Sequence, residues 1–182
     1  MIGRLRRLAG LAPAYARTAW WGLVGPRRER APLLVVQAAV LGPDGILLSL
    51  RSDLWGWELP GGNLQADELP EAALRREVRE ETGLDVELEA HVGDYVRSGF
   101  RPHRARVYRC RVSGGALTPS EETPRVAWFP TDALPDALFA WYREPIQDAL
   151  ADLPEPVERH DHQGLGAILA AARIDLRTRW RG

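Results

Sequence analysis

The sequence predicts an α+β fold, on three observations. Residues 33–59 hold apolar strand-like runs broken by a tight turn, residues 70–83 read as an acidic amphipathic helix, and residues 86–112 return to two stretches rich in β-branched residues. With 182 residues, 45% of them hydrophobic, the chain has room for one domain of ordinary size plus appendages.

The first appendage is 1–31. Arg4, Arg6 and Arg7 precede LAGLAPAYA, but that apolar run is short for a secretion signal and contains Pro13, so it is read as a helix instead. Leu5, Leu8, Leu11, Ala12, Tyr15, Ala16 and Ala19 lie on one side, with Arg6, Arg7 and Arg17 opposite. The favoured role is packing on its own domain or on a sister subunit, which allows a homodimer. Peripheral contact with an anionic membrane surface, aided by Trp20 and Trp21, is the alternative. Nothing in the chain approaches the ~18 apolar residues of a membrane span.

Charge is uneven. The chain carries a net −1, yet residues 1–31 hold seven arginines against Glu29 alone, which leaves the rest at −7. Nucleic acid is therefore not the expected partner of the body. All 24 basic residues are arginine, which with abundant alanine suggests a bacterial gene. The single cysteine, Cys110, excludes an internal disulfide and fits a reducing, cytoplasmic setting; its place between Arg109 and Arg111 in a strand marks it as a packing residue.

Pro26, the Arg27–Arg30 cluster and Pro32 read as a linker. A strand over Leu33–Leu41, a turn at Gly42-Pro43-Asp44-Gly45 and a return strand over Ile46–Arg51 then form a hairpin. Trp55-Gly56-Trp57-Glu58-Leu59 leads into the tight turn Pro60-Gly61-Gly62. The helix behind it starts near Pro70 and stops at Gly83, a left-handed cap. Leu69 supplies no capping oxygen, at a cost of about 1 kcal/mol. Leu74 and Val78 form its buried stripe.

On that helix Glu77, Glu80 and Glu81 fall within an arc of roughly 100° at about 100° per residue. Three carboxylates so close repel unless a cation sits between them. A solvated helix with paired Glu and Arg would explain REVREE alone. It would not explain the glycine pair ahead of the cluster, which a metal site needs for close backbone approach. Oxygen ligands select hard cations, Mg²⁺ first and Mn²⁺ second.

Gly62, Glu68, Arg76, Glu77, Val78, Glu80, Glu81, Gly83 and Leu84 together resemble the signature of the Nudix hydrolases at every defining position. Chance would produce such a match roughly once in 10⁸ windows. The resemblance covers Pro32–Leu153. It implies a Nudix fold, a mixed β-sheet sandwiched between helices, to which the N-terminal and C-terminal helices are extra. It also implies that the Gly61 carbonyl joins Glu77, Glu80 and Glu81 as metal ligands, and that Arg76 orients a glutamate through a salt bridge, with Glu77, Glu80 or Glu68 as partner. Glu68 is assigned to loop support, and Gly62 and Gly83 to structure.

Downstream, Val86–Val96 and Arg104–Val112 read as strands separated by a loop with Gly99 and Pro102; Gly114-Gly115 and Pro119 break the second. A short strand over Val126–Phe129 and a helix over Asp136–Asp152, which Pro145 should kink or split, follow. Residues 32–153 are thus the catalytic domain, and 154–182 a linker and final helix, Leu165–Trp180. His160-Asp161-His162 reads as solvated loop rather than a metal site.

The implied reaction is Mg-dependent pyrophosphohydrolysis of a nucleoside diphosphate linked to another moiety: in-line attack of metal-activated water on phosphorus, with a glutamate taking the proton. The base is left open among the box glutamates, with Glu122 the candidate outside them. Arg51, Arg97, Phe100 and Arg104 are candidate substrate contacts, within a basic cluster that includes Arg101, His103 and Arg106. The family's subgroup markers are missing: no proline lies about fifteen residues past Gly83, and Phe100 stands where a tyrosine would mark dinucleoside polyphosphate hydrolases. Two other classes remain, a nucleotide-sensing Nudix module without turnover and an RNA 5′-end pyrophosphohydrolase that uses the basic arm. Retention of every box glutamate speaks against the first.

Overall fold

Leu33–Gly42 (β1) and Gly45–Leu50 (β2) pair antiparallel across the turn at 42–45, with Leu41 opposite Ile46. The computed structural model describes residues 33–181, so the predicted N-terminal helix and its linker lie outside the described residues. Trp57–Glu58 (β3) pairs with β2, and Gly61–Asn63 (β4) with β1. The helix Pro70–Thr82 (α1) is followed by the long strands Leu84–Gly99 (β5) and His103–Gly115 (β6), then Arg125–Phe129 (β7). A 3₁₀ turn at Ala140–Tyr142, the helix Arg143–Ala151 (α2), the strand Val157–Gln163 (β8) and the helix Leu165–Arg181 (α3) complete the order.

The strands make one sheet, β3-β2-β1-β6-β5-β8, with β4 added on β1 and β7 on β2. β1 runs parallel to β6 and β5 to β8, the other pairs being antiparallel, so the sheet is mixed.

Because strand side chains alternate, β1 feeds two cores. Val36, Ala38 and Val40 pack with Ala73, Leu74 and Val78 of α1 on one face. Ala39 faces the other side with Leu138, Phe139, Tyr142, Ile146 of α2 and Ala171 of α3. The sheet is sandwiched between helices as expected. Leu74 and Val78 are fully buried, each contributing about 1.5–3 kcal/mol. That burial sets the rotation of α1 and therefore where its glutamates emerge.

Several expectations are corrected. Gly114-Gly115 do not break β6: they pair with Asp85 and Leu84 at its end. The helix expected over Asp136–Asp152 begins only at Arg143, because the preceding residues are taken up beside β3. The Trp57 N–H donates to Ala137 O, and the Phe139 N–H to Trp57 O. Pro145 is the third residue of α2, where its missing N–H removes no helical bond. His160-Asp161-His162 is not loop but the middle of β8, its side chains exposed and its backbone paired with Val96, Arg97 and Ser98 of β5. Among the described residues no helix is long and apolar enough to cross a membrane.

Candidate active site

Glycine chemistry brings the β4 backbone onto α1. Gly61 has φ +151°, and a Cβ there would lie 2.0 Å from the Val36 carbonyl oxygen. Next to it, a Cβ on Gly62 would stand 2.5 Å from the Glu77 carboxyl carbon. The close approach demanded of this turn therefore serves two contacts, one with β1 and one with an acidic side chain. At the far end α1 stops at Gly83, in the left-handed region at φ +75°; Leu69 makes no side-chain cap at the start.

The acidic face opens on a cavity of about 280 Å³ lined by Glu77, Glu80, Glu81, Ser120, Glu121 and Glu122. The box glutamates and the candidate base Glu122 are thus brought together. Glu81 is the most enclosed, 8% exposed. Its Oε2 accepts the Gly61 N–H at 3.2 Å and the Ser49 hydroxyl at 3.4 Å. Thr123 Oγ1 donates to the Glu81 backbone oxygen at 2.6 Å and ties the loop of Glu121 and Glu122 to α1. Burial, then the charges of Glu58 and Glu77, push the Glu81 carboxyl up to about 9. Glu77 is raised too, chiefly by burial, against the opposing pull of Arg76.

Arg76 organises the rest. Its Nε and Nη2 meet both oxygens of Glu68 at 2.9 and 2.8 Å, while Nη1 donates to Glu77 at 2.8 Å and Glu80 at 3.2 Å. All three candidate partners are engaged at once. Glu68 also accepts the Gln65 N–H at 2.9 Å, supporting the loop. Its carboxyl is drawn down to about 2, first by the Arg76 hydrogen bond.

The substrate candidates separate. Arg51 does not line the acidic cavity, but its charge acts on Glu81; it holds Asp53 through two 2.7 Å bonds and reaches Glu58 at 3.2 Å. Arg97, Phe100 and Arg104 do not line the acidic cavity. Arg97 is buried, donating to Trp141 O at 3.0 Å with its guanidinium 5.3 Å from the Tyr142 ring centre. Phe100 bonds through its backbone N–H to Gln163 O. Arg104 and Arg106 both pair with Asp94, which is held well below the usual carboxylate range, and Arg104 also pairs with Glu158.

Residues outside the sequence reading complete the site. Glu58, buried between Trp57 and Leu59, accepts the Tyr142 hydroxyl at 2.8 Å, and Tyr142 in turn meets Gln37 at 3.3 Å. A lone acidic residue in an otherwise apolar stretch just before Pro60 was the available signal for Glu58.

The acidic set fits a hard divalent cation in chemistry. Carboxylates line one cavity, and the most buried of them is pushed toward its protonated form by burial and then by the charges of Glu58 and Glu77, a state that a cation would reverse. Among the described residues no three such side chains are already closed into a ligand set.

The NUDIX domain model matches residues 31–149. The chain belongs to the Nudix hydrolase family. It is 39% identical over 131 residues to a MutT-like protein of Streptomyces ambofaciens, covering 71% of this chain and 84% of that one. It is 44% identical over 80 residues to the CTP pyrophosphohydrolase of Escherichia coli (strain K12), covering 41% and 56%. Among solved structures, an ADP-ribose pyrophosphatase from Streptococcus suis 89-1591 superposes with TM-score 0.60 at 30% identity, covering 72% of this chain and all of that one. As a Nudix hydrolase the protein is an enzyme acting on acid anhydrides, a pyrophosphohydrolase.

Proposed function

We propose that this Nudix hydrolase cleaves a phosphoanhydride in a nucleoside diphosphate linked to another moiety, with a nucleoside triphosphate as the first expectation, in a Mg²⁺-dependent reaction that Mn²⁺ also supports. The observation that carries the reading is the cavity in which Glu77, Glu80, Glu81 and Glu122 meet beside Arg76. Glu77, Glu80, Glu81 and the Gly61 carbonyl are the groups that would hold the ion. When bound, a divalent cation neutralises phosphate charge and makes a water nucleophilic near neutral pH.

The chain's own groups do the rest. Glu68 fixes Arg76, and Arg76 holds Glu77 and Glu80 in place. The Gly61 amide and Ser49 orient Glu81. Glu122, which lines the same cavity, would take a proton, and Arg51, whose charge acts on Glu81, is the candidate contact for substrate. The triphosphate class is favoured by the relative named as a CTP pyrophosphohydrolase; ADP-ribose is the competitor that the structural neighbour supports.

The test is a hydrolysis screen with Mg²⁺ or Mn²⁺ across nucleoside triphosphates, oxidised nucleotides, ADP-ribose, nucleotide sugars, dinucleoside polyphosphates and capped RNA. Glu81→Gln and Glu77→Gln should each lower turnover at least about a hundredfold with folding intact, the scale of a lost charge-stabilising group. Near-normal turnover in both variants would defeat the assignment.

A further inference from the structure

Helix α3 reaches the active site through the loop between β2 and β3. Asp175 on α3 is fully buried, and its Oδ1 accepts both the Trp55 backbone N–H and Arg179 Nε at 2.7 Å. Arg179 Nη2 donates onward to the backbone oxygens of Asp53 at 2.9 Å and Ser52 at 3.4 Å. The same guanidinium stands 5.4 Å from the centre of the Trp55 ring.

On its other side the loop touches the acidic cavity. The Ser52 N–H donates to the backbone oxygen of Glu122 at 2.9 Å, and Glu122 lines that cavity. Asp53 is the partner of Arg51. One four-residue stretch, Ser52–Trp55, is therefore gripped by α3 and itself holds both Arg51 and the Glu122 rim. A buried carboxylate is costly unless it is paired and hydrogen-bonded. Here two bonds to Asp175 Oδ1 serve the grip, one from the loop itself and one from the arginine that clasps it.

We infer that α3 is a positioning element of the active site, in which the Asp175–Arg179 pair sets the Ser52–Trp55 loop and, through it, Arg51 and Glu122. Neither residue lines the acidic cavity, and both lie beyond residues 31–149, which the family model matches. The inference rests on the proposed function only in taking that cavity as the catalytic one.

The test compares full-length wild type with Asp175→Ala and Asp175→Asn by hydrogen–deuterium exchange and by steady-state kinetics on the best substrate of the screen. In Asp175→Ala, amide exchange at 52–56 and at 120–123 should rise at least tenfold while α1 is unchanged. KM should rise about five- to twentyfold, through Arg51, and kcat should fall by a smaller factor, through Glu122. Asp175→Asn, which keeps an acceptor for the Trp55 N–H, should recover part of both effects and stands in should the alanine variant fail to fold. Exchange that rises evenly through the chain, or protection at 120–123 that does not change, would overturn the inference. So would a fall in kcat at constant KM, the mark of lost folded enzyme. A wild type inactive on every compound defeats the proposed function, and exchange alone then decides the positioning.

Discussion

Arg76 grips Glu68 with two prongs, Nε to Oε1 at 2.9 Å and Nη2 to Oε2 at 2.8 Å, and has only Nη1 left for Glu77 and Glu80. A planar guanidinium fixed along one edge presents its remaining nitrogen in a set direction, which an ammonium on a flexible stem does not. Arg76→Lys should therefore fail to restore activity even though it keeps the charge. We expect kcat to fall at least tenfold in Arg76→Lys and further in Arg76→Ala, and Glu68→Gln to fall by a smaller factor, read by steady-state kinetics at saturating Mg²⁺.

Gly61 and Gly62 are adjacent, yet they should fail differently. A Cβ on Gly61 meets backbone, the Val36 carbonyl, at a φ that L residues rarely adopt; a Cβ on Gly62 meets the end of a side chain, Glu77. Backbone of a central strand does not yield, whereas a carboxylate swings aside. Gly61→Ala should cost stability, with an expected loss of about 1–3 kcal/mol for the strained backbone alone. Gly62→Ala should remain folded, with a melting temperature near that of wild type, and lose most of its turnover because Glu77 is displaced. Equal loss of melting temperature in both would sink this distinction.

The same contrast explains what was legible in the sequence. The box glutamates are readable because helical spacing alone places Glu77, Glu80 and Glu81 together, and the glycines mark where backbone must come close. The Glu58–Tyr142 hydrogen bond joins positions 84 apart, and no local pattern carries that information. Asp94 draws in Arg104 and Arg106 across the β5–β6 pairing, so two arginines of a cluster that looks free and basic in one dimension are paired in three. His160, Asp161 and His162 show no apolar alternation, so nothing local marks them as part of β8. Its strand state rests on backbone pairing to β5 at the edge of the sheet. The Asp175 contact with the Trp55 amide crosses 120 positions and leaves no trace in spacing.

His103 offers a pH test. Burial, reinforced by the neighbouring Arg97 and Arg101 charges, pushes its imidazole down to about 4, although the Arg101 carbonyl opposes the shift. Its contacts fit the neutral ring, with Nδ1 at 2.7 Å from Arg101 O as donor and Nε2 at 3.2 Å from Arg97 Nη1 as acceptor. An unfolded histidine titrates near 6.5. Between about pH 6.5 and 4 the unfolded chain therefore binds the extra proton and the folded one does not, so this group's contribution to stability is complete at pH 7 and is lost as pH falls through that window. The drop in melting temperature from pH 7 to pH 5 should be larger in wild type than in His103→Gln. An identical drop in the two proteins would show that the ring carries no such linkage.

Cys110 is fully buried in β6 among Val40, Val86 and Tyr108, and burial pushes its thiol up to about 12. Thiol reagents attack the thiolate, and at pH 8 neither the fraction of thiolate nor access through the sheet allows reaction. A disulfide reagent should therefore titrate no thiol in the native protein and one per chain in denaturant. Cys110→Ala should keep full turnover, because the residue reaches none of the groups around the acidic cavity, and should lose on the order of 1 kcal/mol of stability from the lost sulfur contacts. Rapid labelling of the native enzyme accompanied by inactivation would contradict both the burial and the packing role, and would require the sheet to open at its centre on the timescale of the assay.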